Sequence, residues 1–369
     1  MSPFNTYFNP SASTWTYDGP QPDPAVEAFH RQLPDYNLTP LVELPEVAKE
    51  LGIKHAFLKD ESHRFGLPAF KILGASWAIY NAVASHCKQP LPCSLEELGK
   101  TAREQGVRLI TCTEGNWGRA TARMAKYLQV PATVFVPKYM DRLTQDKISS
   151  EGAEVVVVEG DYDESIQAAR KAAEAEGSLL VMDVSWAGYE QIPWLVSEGY
   201  STMLTEVDRQ LQEQAGTSAT HAFASVGVGS WAQAVCMHYK TEGRHATVVA
   251  VEPESAACLQ TSLKAGKVTP ITTGETIMNG MNCGTVSHIA WDILRKGVDA
   301  SVVVSDVDVH RDVQYLHGIG VRNGPCGAAP LSALRKLMGD GDREKLSLGS
   351  DAVVVLFSTE GARDYEVPK

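Results

Sequence analysis

A chain of 369 residues exceeds one average domain, and a 44% hydrophobic content is enough for a sizeable core. Its 33 basic and 45 acidic residues leave a net charge of −12, which argues against a nucleic-acid or anionic-membrane surface. Seven cysteines, an odd count with no C-x-x-C pair, argue against a disulfide framework or a zinc site and favour a reducing, cytoplasmic setting.

The first 35 residues, rich in Pro, Asn, Ser and Tyr, read as irregular surface chain, and their polar, aromatic start lacks the pattern of a secretory signal. No later run approaches the roughly 20 apolar residues that a membrane span needs. From Thr39 the pattern alternates: strand Leu41–Leu44, helical ELPEVAKELG, strand His55–Lys59, a helix over Ala69–Ala84, and strand residues 109–113. A helix over Gly118–Leu128, strand Ala132–Val136, a helix near Thr144–Glu151 and strand Glu154–Glu159 follow. Next come a helix over Glu164–Glu176 and strand Leu179–Asp183. Strand Ala222–Val226 leads into a helix near Ser230, and Thr247–Val251 and Val353–Phe357 are further strands. Short β-branched runs alternating with amphipathic helices predict an α/β fold with parallel strands and helical crossovers.

In such sheets ligands bind beyond the carboxyl ends of the strands, where the informative turns lie. In SVGVGSWAQAV an apolar strand ends at Val226, Gly227-Val228-Gly229-Ser230 turns, and a helix begins. Glycines let backbone amides approach a phosphate, and a helix N-terminus favours an anion. The same residues also fit the dinucleotide pattern G-x-G-x-x-A, with Glu252 placed as a ribose-binding acid, and a merely structural turn is a third reading. In TEGNWGRA, Asn116 and the acid Glu114 follow a strand, where Asn116 reads either as a ligand-binding amide or as a helix cap. Lys71, between Phe70 and Ile72, opens an apolar stretch. It either snorkels outward or serves as a desolvated, nucleophilic amine. Ser358 follows the last strand in LFSTEG, where a hydroxyl could meet a ring nitrogen or simply make a turn. A nucleophilic lysine, a phosphate-cradling loop and a hydroxyl partner together are what a pyridoxal 5′-phosphate (PLP) site asks of a protein.

LPAFKILGA, TEGNWGRA, SVGVGS and LFSTEG together resemble the fold-type-II, tryptophan-synthase β-like, PLP-dependent enzymes. PDYNLTPL, KDESHRFGLPAFKILGA, MDVSWAGYEQIPWLVSEGYSTM, VVAVEPESAACL and TIMNGMNCG resemble the diaminopropionate ammonia-lyase branch, over residues 30 to 361. The resemblance implies a two-lobed α/β fold with parallel-rich open sheets flanked by helices. Residues 1–75 and 187–369 would form the large PLP-binding domain and 76–186 the small one, with PLP between them in a homodimer. By position, Lys71 would carry PLP as a Schiff base and move the α-proton, beside Phe70. Asn116 would bond the ring hydroxyl, the loop Gly227, Val228, Gly229 and Ser230 the phosphate, and Ser358 the pyridine nitrogen. Asp183 matches an acid for substrate-amine recognition or proton transfer, and Glu114 falls where the family carries aspartate.

The chain departs from the family pattern in three places. Trp117 stands for a histidine, Glu114 for an aspartate, and Asn323-Gly324-Pro325-Cys326-Gly327 for G-E-S-G, which removes a carboxylate beside the ring. The expected activity is a PLP-dependent lyase that β-eliminates from a small amino acid, foremost 2,3-diaminopropionate to pyruvate and ammonia. A serine/threonine dehydratase and a β-replacement enzyme are alternatives within PLP chemistry. An NAD-dependent oxidoreductase using Gly227–Ala232 and Glu252 is the rival from another class, and a non-catalytic PLP binder a further one.

Overall fold

The computed structural model describes residues 5–113, 115–160, 162–339 and 341–369. Its strands are β1 (Tyr7–Phe8), β2 (Leu41–Glu43), β3 (His55–Asp60), β4 (Arg108–Cys112), β5 (Ala132–Pro137), β6 (Glu154–Val158), β7 (Ser178–Leu180), β8 (His221–Ser225), β9 (Thr247–Pro253), β10 (Ala300–Val304) and β11 (Val353–Ser358). Two compact units contain them: Met1–Asp23, Asn37–Phe70 and Tyr200–Lys369 form the first, Pro24–Tyr36 and Lys71–Gly199 the second.

The first unit is built on a seven-stranded sheet in the order β1-β10-β9-β8-β11-β3-β2. Its inner pairs are parallel, and only β1 and β2, at the two edges, run antiparallel to their neighbours. Strands β8, β10 and β11 are buried along their whole length. Runs such as VVVLFS are therefore continuously apolar, because helices cover both faces of the sheet and no polar alternation is needed. Beside β2 and β3 lies a cluster of four fully buried charges. The Arg64 guanidinium donates to Glu61 at 2.7 and 2.8 Å and to Glu206 at 2.6 and 2.9 Å. Lys59 Nζ lies 2.8 Å from Glu206 Oε2. Because two cations meet two anions, with Thr39 and Gln210 taking further bonds, the cost of burial is compensated. The cluster ties down the segment that leads from β3 to Phe70.

The second unit is built on a four-stranded parallel sheet, β6-β5-β4-β7. The helix Lys71–Cys87 is buried without a break from Ile72 to Tyr80, as befits a helix that is apolar all round. It packs closely against the helix Gln191–Gly199: a Cβ on Gly199 would lie 2.6 Å from Leu73 O and 2.9 Å from Gly74 Cα. That contact keeps residues 187–199 with this unit.

Several sequence expectations need correction. The first 35 residues are not uniformly irregular, since β1 pairs with β10 and Ala25–Gln32 is a helix that buries Val26, Phe29 and His30. Strand β10 carried no expectation. Strand β7 stops at Leu180, because Val181 O, which a longer ladder would offer to Cys112 N, accepts from Thr111 Oγ1 at 2.6 Å and Trp117 Nε1 at 3.3 Å, while Cys112 N turns to Met182 Sδ at 3.4 Å. Asp183 therefore follows the strand by three residues. Among the described residues no helix is long and apolar enough to cross a membrane.

Candidate active site

Lys71 opens its helix with its side chain 23% exposed, and its Nζ donates to Asp183 Oδ2 at 2.5 Å. Asp183 is nearly enclosed, at 7% side-chain exposure, so the charge-assisted bond forms with little competing water. The Trp117 ring centroid lies 6.0 Å from Lys71 Nζ, at the outer limit of a cation–π contact. The Trp117 indole donates to Thr111 Oγ1 at 2.9 Å and Val181 O at 3.3 Å. Tryptophan at this position thus presents its flat face toward the amine and anchors its polar edge in the sheet. Asn116 is the first residue of the helix Asn116–Leu128 rather than its cap. The Thr113 hydroxyl takes the Gly115 and Gly118 amides at 2.9 and 3.1 Å instead. Glu114 lies outside the described residues.

In the first unit β8 ends at Ser225 and the helix Ser230–Tyr239 begins after the glycine turn. Gly229 has φ +99°, a left-handed conformation that L side chains rarely adopt, and its Cβ would meet Leu294 Cδ1 at 2.9 Å. A Cβ on Gly227 would meet Gly280 O at 2.9 Å and Cys283 Sγ at 3.2 Å. Val228 O accepts Ser287 N at 2.8 Å, and Ser230 is buried. The turn is thus held from behind by residues 280–294, with the first amides of a ten-residue helix beside it, the geometry that suits an anion. Phe70 is buried against Tyr200 and Trp231, at ring separations of 4.8 and 5.2 Å.

Ser358, the last residue of β11, is fully buried, and its Oγ has no hydrogen-bond partner among the described residues. A buried hydroxyl left unpaired costs roughly 1–3 kcal/mol, so a partner such as a ring nitrogen would relieve it. Glu252 does other work than the dinucleotide reading required. Its carboxylate is fully buried and accepts the Leu259 and Gln260 amides at 2.7 and 2.8 Å, at the start of the helix Cys258–Ala265. Burial pushes its pKa up to about 7 against the opposing pull of those amides. No face of it is left for a ribose, and the dinucleotide reading falls with it.

Two further groups leave no trace in the sequence pattern. Glu360 Oε1 accepts Cys326 N at 3.0 Å and would touch a Cβ on Gly324 at 2.7 Å. The turn over residues 323–327, which has no carboxylate side chain of its own, therefore receives one from the segment after β11. Asn323 is fully buried, and neither polar atom of its side chain finds a partner among the described residues. Neither feature carries a periodic or motif signature, because one joins residues over 30 positions apart and the other depends on burial alone.

An amine for covalent attachment, a tight glycine turn at a helix N-terminus and a buried unpartnered hydroxyl are groups that fit PLP. The comparisons agree. The family described as "Pyridoxal-phosphate dependent enzyme" matches residues 33–359. The chain is 32% identical to the diaminopropionate ammonia-lyase of Salmonella typhimurium over 359 residues, covering 91% of this chain and 88% of the relative. It superposes with a TM-score of 0.85, at 29% identity, on an Escherichia coli diaminopropionate ammonia-lyase crystallised with an aminoacrylate-PLP azomethine, covering 97% and 93% of the two chains. The L-threonine ammonia-lyase of Geobacter sulfurreducens is more distant, at 27% identity over 80% of this chain and 66% of its own. The chain belongs to the pyridoxal-phosphate dependent enzymes, and within them it is a PLP-requiring ammonia-lyase that acts by β-elimination.

Proposed function

We propose that this enzyme eliminates the β-amino group of 2,3-diaminopropionate, so that one substrate and one water yield pyruvate and two ammonia. The observation that carries the reading is the Lys71–Asp183 pair, a base and an acid 2.5 Å apart in one unit. Bound PLP supplies an electron sink for charge developing at Cα. Lys71 holds the cofactor and, once released, takes the α-proton. Asp183, as a carboxylate, pairs with the β-ammonium of the substrate and keeps that nitrogen protonated, so that it departs as neutral ammonia when the Cβ–N bond breaks. The amides of Gly227, Val228 and Gly229 with Ser230 hold the phosphate, Ser358 meets the ring nitrogen, Asn116 bonds the ring hydroxyl, and Phe70 flanks the cofactor. Glu114 is assigned a second acid role by its match to the family aspartate. A homodimer in the cytoplasm belongs to the same reading.

The similarity to diaminopropionate ammonia-lyases at 32% identity supports this substrate above serine or threonine. An Escherichia coli homologue was crystallised with D-serine, so hydroxyl leaving groups belong in the test. Pyruvate release should be measured from both enantiomers of diaminopropionate, serine and O-acetylserine. Diaminopropionate should give the highest kcat/KM. Release only from serine or its O-activated form would transfer the enzyme to the dehydratases or β-replacement enzymes.

A further inference from the structure

The segment that presents Asp183 is gripped from two sides. On one side Thr111 Oγ1 donates to Val181 O at 2.6 Å, and the Trp117 indole donates to both of these oxygens. On the other, the Tyr189 hydroxyl spans Leu180 O and Met182 N at 2.8 and 3.0 Å. Val181 N still completes the ladder to Ile110 O at 2.8 Å, so the peptide groups just before Asp183 are held in place. Tyr189 is itself fixed. Residues 186–189 form a tight turn in which Tyr189 N donates to Trp186 O at 2.9 Å and Gly188 N to Glu190 Oε1 at 2.9 Å. The Tyr189 and Trp186 rings stack at 4.5 Å and 15°, and the Arg170 guanidinium lies 5.0 Å over the Trp186 ring. Met182, Trp186 and Tyr189 also share one apolar cluster with Ile110 and Ala169.

We propose that Tyr189 is a positioning residue: the Arg170–Trp186–Tyr189 stack uses the Tyr189 hydroxyl to hold residues 180–182 so that the Asp183 carboxylate stays against Lys71. This rests on the reading that Asp183 acts on the substrate. Burial, and next to it the Asp183 charge, pushes the Tyr189 hydroxyl above its ordinary range, so it remains a neutral donor and acceptor under all working conditions. A loss of orientation at an acid costs rate without removing the acid, and displacements of about 1 Å are worth up to about 100-fold.

The test is a double-mutant cycle on PLP-loaded enzyme with Tyr189→Phe, which keeps the ring on Trp186 and removes only the hydroxyl, and Asp183→Asn. Tyr189→Phe should lower kcat about tenfold with KM little changed, and should add nothing in the Asp183→Asn background. The second readout is the pH midpoint of the bound-PLP absorbance, which needs no substrate. Asp183→Asn should move it, Tyr189→Phe should move it part of the way in the same direction, and the double variant no further than Asp183→Asn. Arg170→Gln, at an exposed end of the stack, should give a smaller change of the same sign and covers the case in which Tyr189→Phe folds poorly. A Tyr189→Phe enzyme with a lowered Tm but a wild-type absorbance midpoint, and with kcat losses that add to those of Asp183→Asn, would show that Tyr189 merely packs. If diaminopropionate is no substrate, the absorbance cycle still decides between positioning and packing for Tyr189.

Discussion

Gly327, in the first turn of the helix Pro325–Gly339, approaches the end of β11 so closely that a Cβ there would lie 2.5 Å from Ser358 Oγ and 3.2 Å from Glu360 O. The contact leaves the Ser358 hydroxyl few directions in which to turn, and this is the group assigned to the ring nitrogen of PLP. Ser358→Ala should weaken PLP retention by about 0.5–1.5 kcal/mol, the worth of a neutral hydrogen bond. Gly327→Ala should weaken it further, because it crowds the strand backbone as well as the hydroxyl. Spectroscopic titration of the two variants with PLP measures both effects. Wild-type affinity in both would give the ring nitrogen to another partner.

Lys71 should carry the cofactor. Borohydride reduction followed by peptide mapping should find the pyridoxyl group on Lys71, and Lys71→Ala should lose turnover altogether. A pyridoxyl group on any other lysine overturns the assignment.

Asp183→Asn preserves shape while removing the charge that meets Lys71 at 2.5 Å. Bound PLP should be retained, and turnover of diaminopropionate should fall by about 100-fold or more, the scale of general acid–base catalysis. Steady-state kinetics on each enantiomer measures this. A fall confined to one enantiomer would leave the β-ammonium of the other to a second acid, such as Glu114.

Gly229 combines a left-handed backbone with a neighbour 2.9 Å from any Cβ. Gly229→Ala should cost about 1–3 kcal/mol of stability through backbone strain, with further loss from the clash with Leu294. Gly229→Asp should in addition set a negative charge beside the phosphate and abolish PLP retention. Thermal unfolding with and without PLP separates the two effects.

Glu252 makes stability depend on pH in a defined window. Its folded-state pKa is raised from 4.5 to about 7, so the folded protein holds a proton that the unfolded chain has released. The contribution is complete below about pH 4.5 and is lost as pH rises through about 7. At 1.36 kcal/mol per pH unit its size is on the order of 3 kcal/mol. Glu252→Gln should lower stability somewhat, since an amide cannot accept both backbone bonds, and should flatten the slope over this window. Urea denaturation at pH 5 and pH 8 measures the difference. An unchanged slope would assign the pH dependence to other groups.

The alternating strands and helices were legible because parallel strands buried on both faces leave continuous apolar runs, and Val353–Phe357 emerged one residue short of its observed end. The glycine turn and Lys71 were legible because each breaks a local rule, with backbone freedom in one case and a cation at the head of an apolar helix in the other. The turn alone left three readings open, a phosphate, a dinucleotide and a structural turn, and the burial of Glu252 removed the dinucleotide. Strand β1 was missed because a two-residue edge strand has no period, being defined by its partner Ala300–Ser301 far along the chain. The position of Asp183 was read three residues too close to the strand end, since the groups that take up the next rung of the ladder are the side chains of Thr111, Trp117 and Met182. The same limit hid Glu360, whose carboxylate reaches Cys326 from 34 residues away.

The Lys59–Glu61–Arg64–Glu206 cluster restricts how this part of the sequence can evolve. Removing any one of its four buried charges leaves another uncompensated, at a cost of about 3–5 kcal/mol, a large share of a typical domain's stability. Arg64→Lys would not serve either, because a single ammonium cannot reproduce the forked bonds to Glu61 and Glu206. Single substitutions here are therefore nearly closed as mutational routes, whereas exchange of a whole cation–anion pair for apolar residues of matching volume remains open. Among descendants of this chain, Arg64 and Glu206 should be kept together or lost together, even though 142 positions separate them.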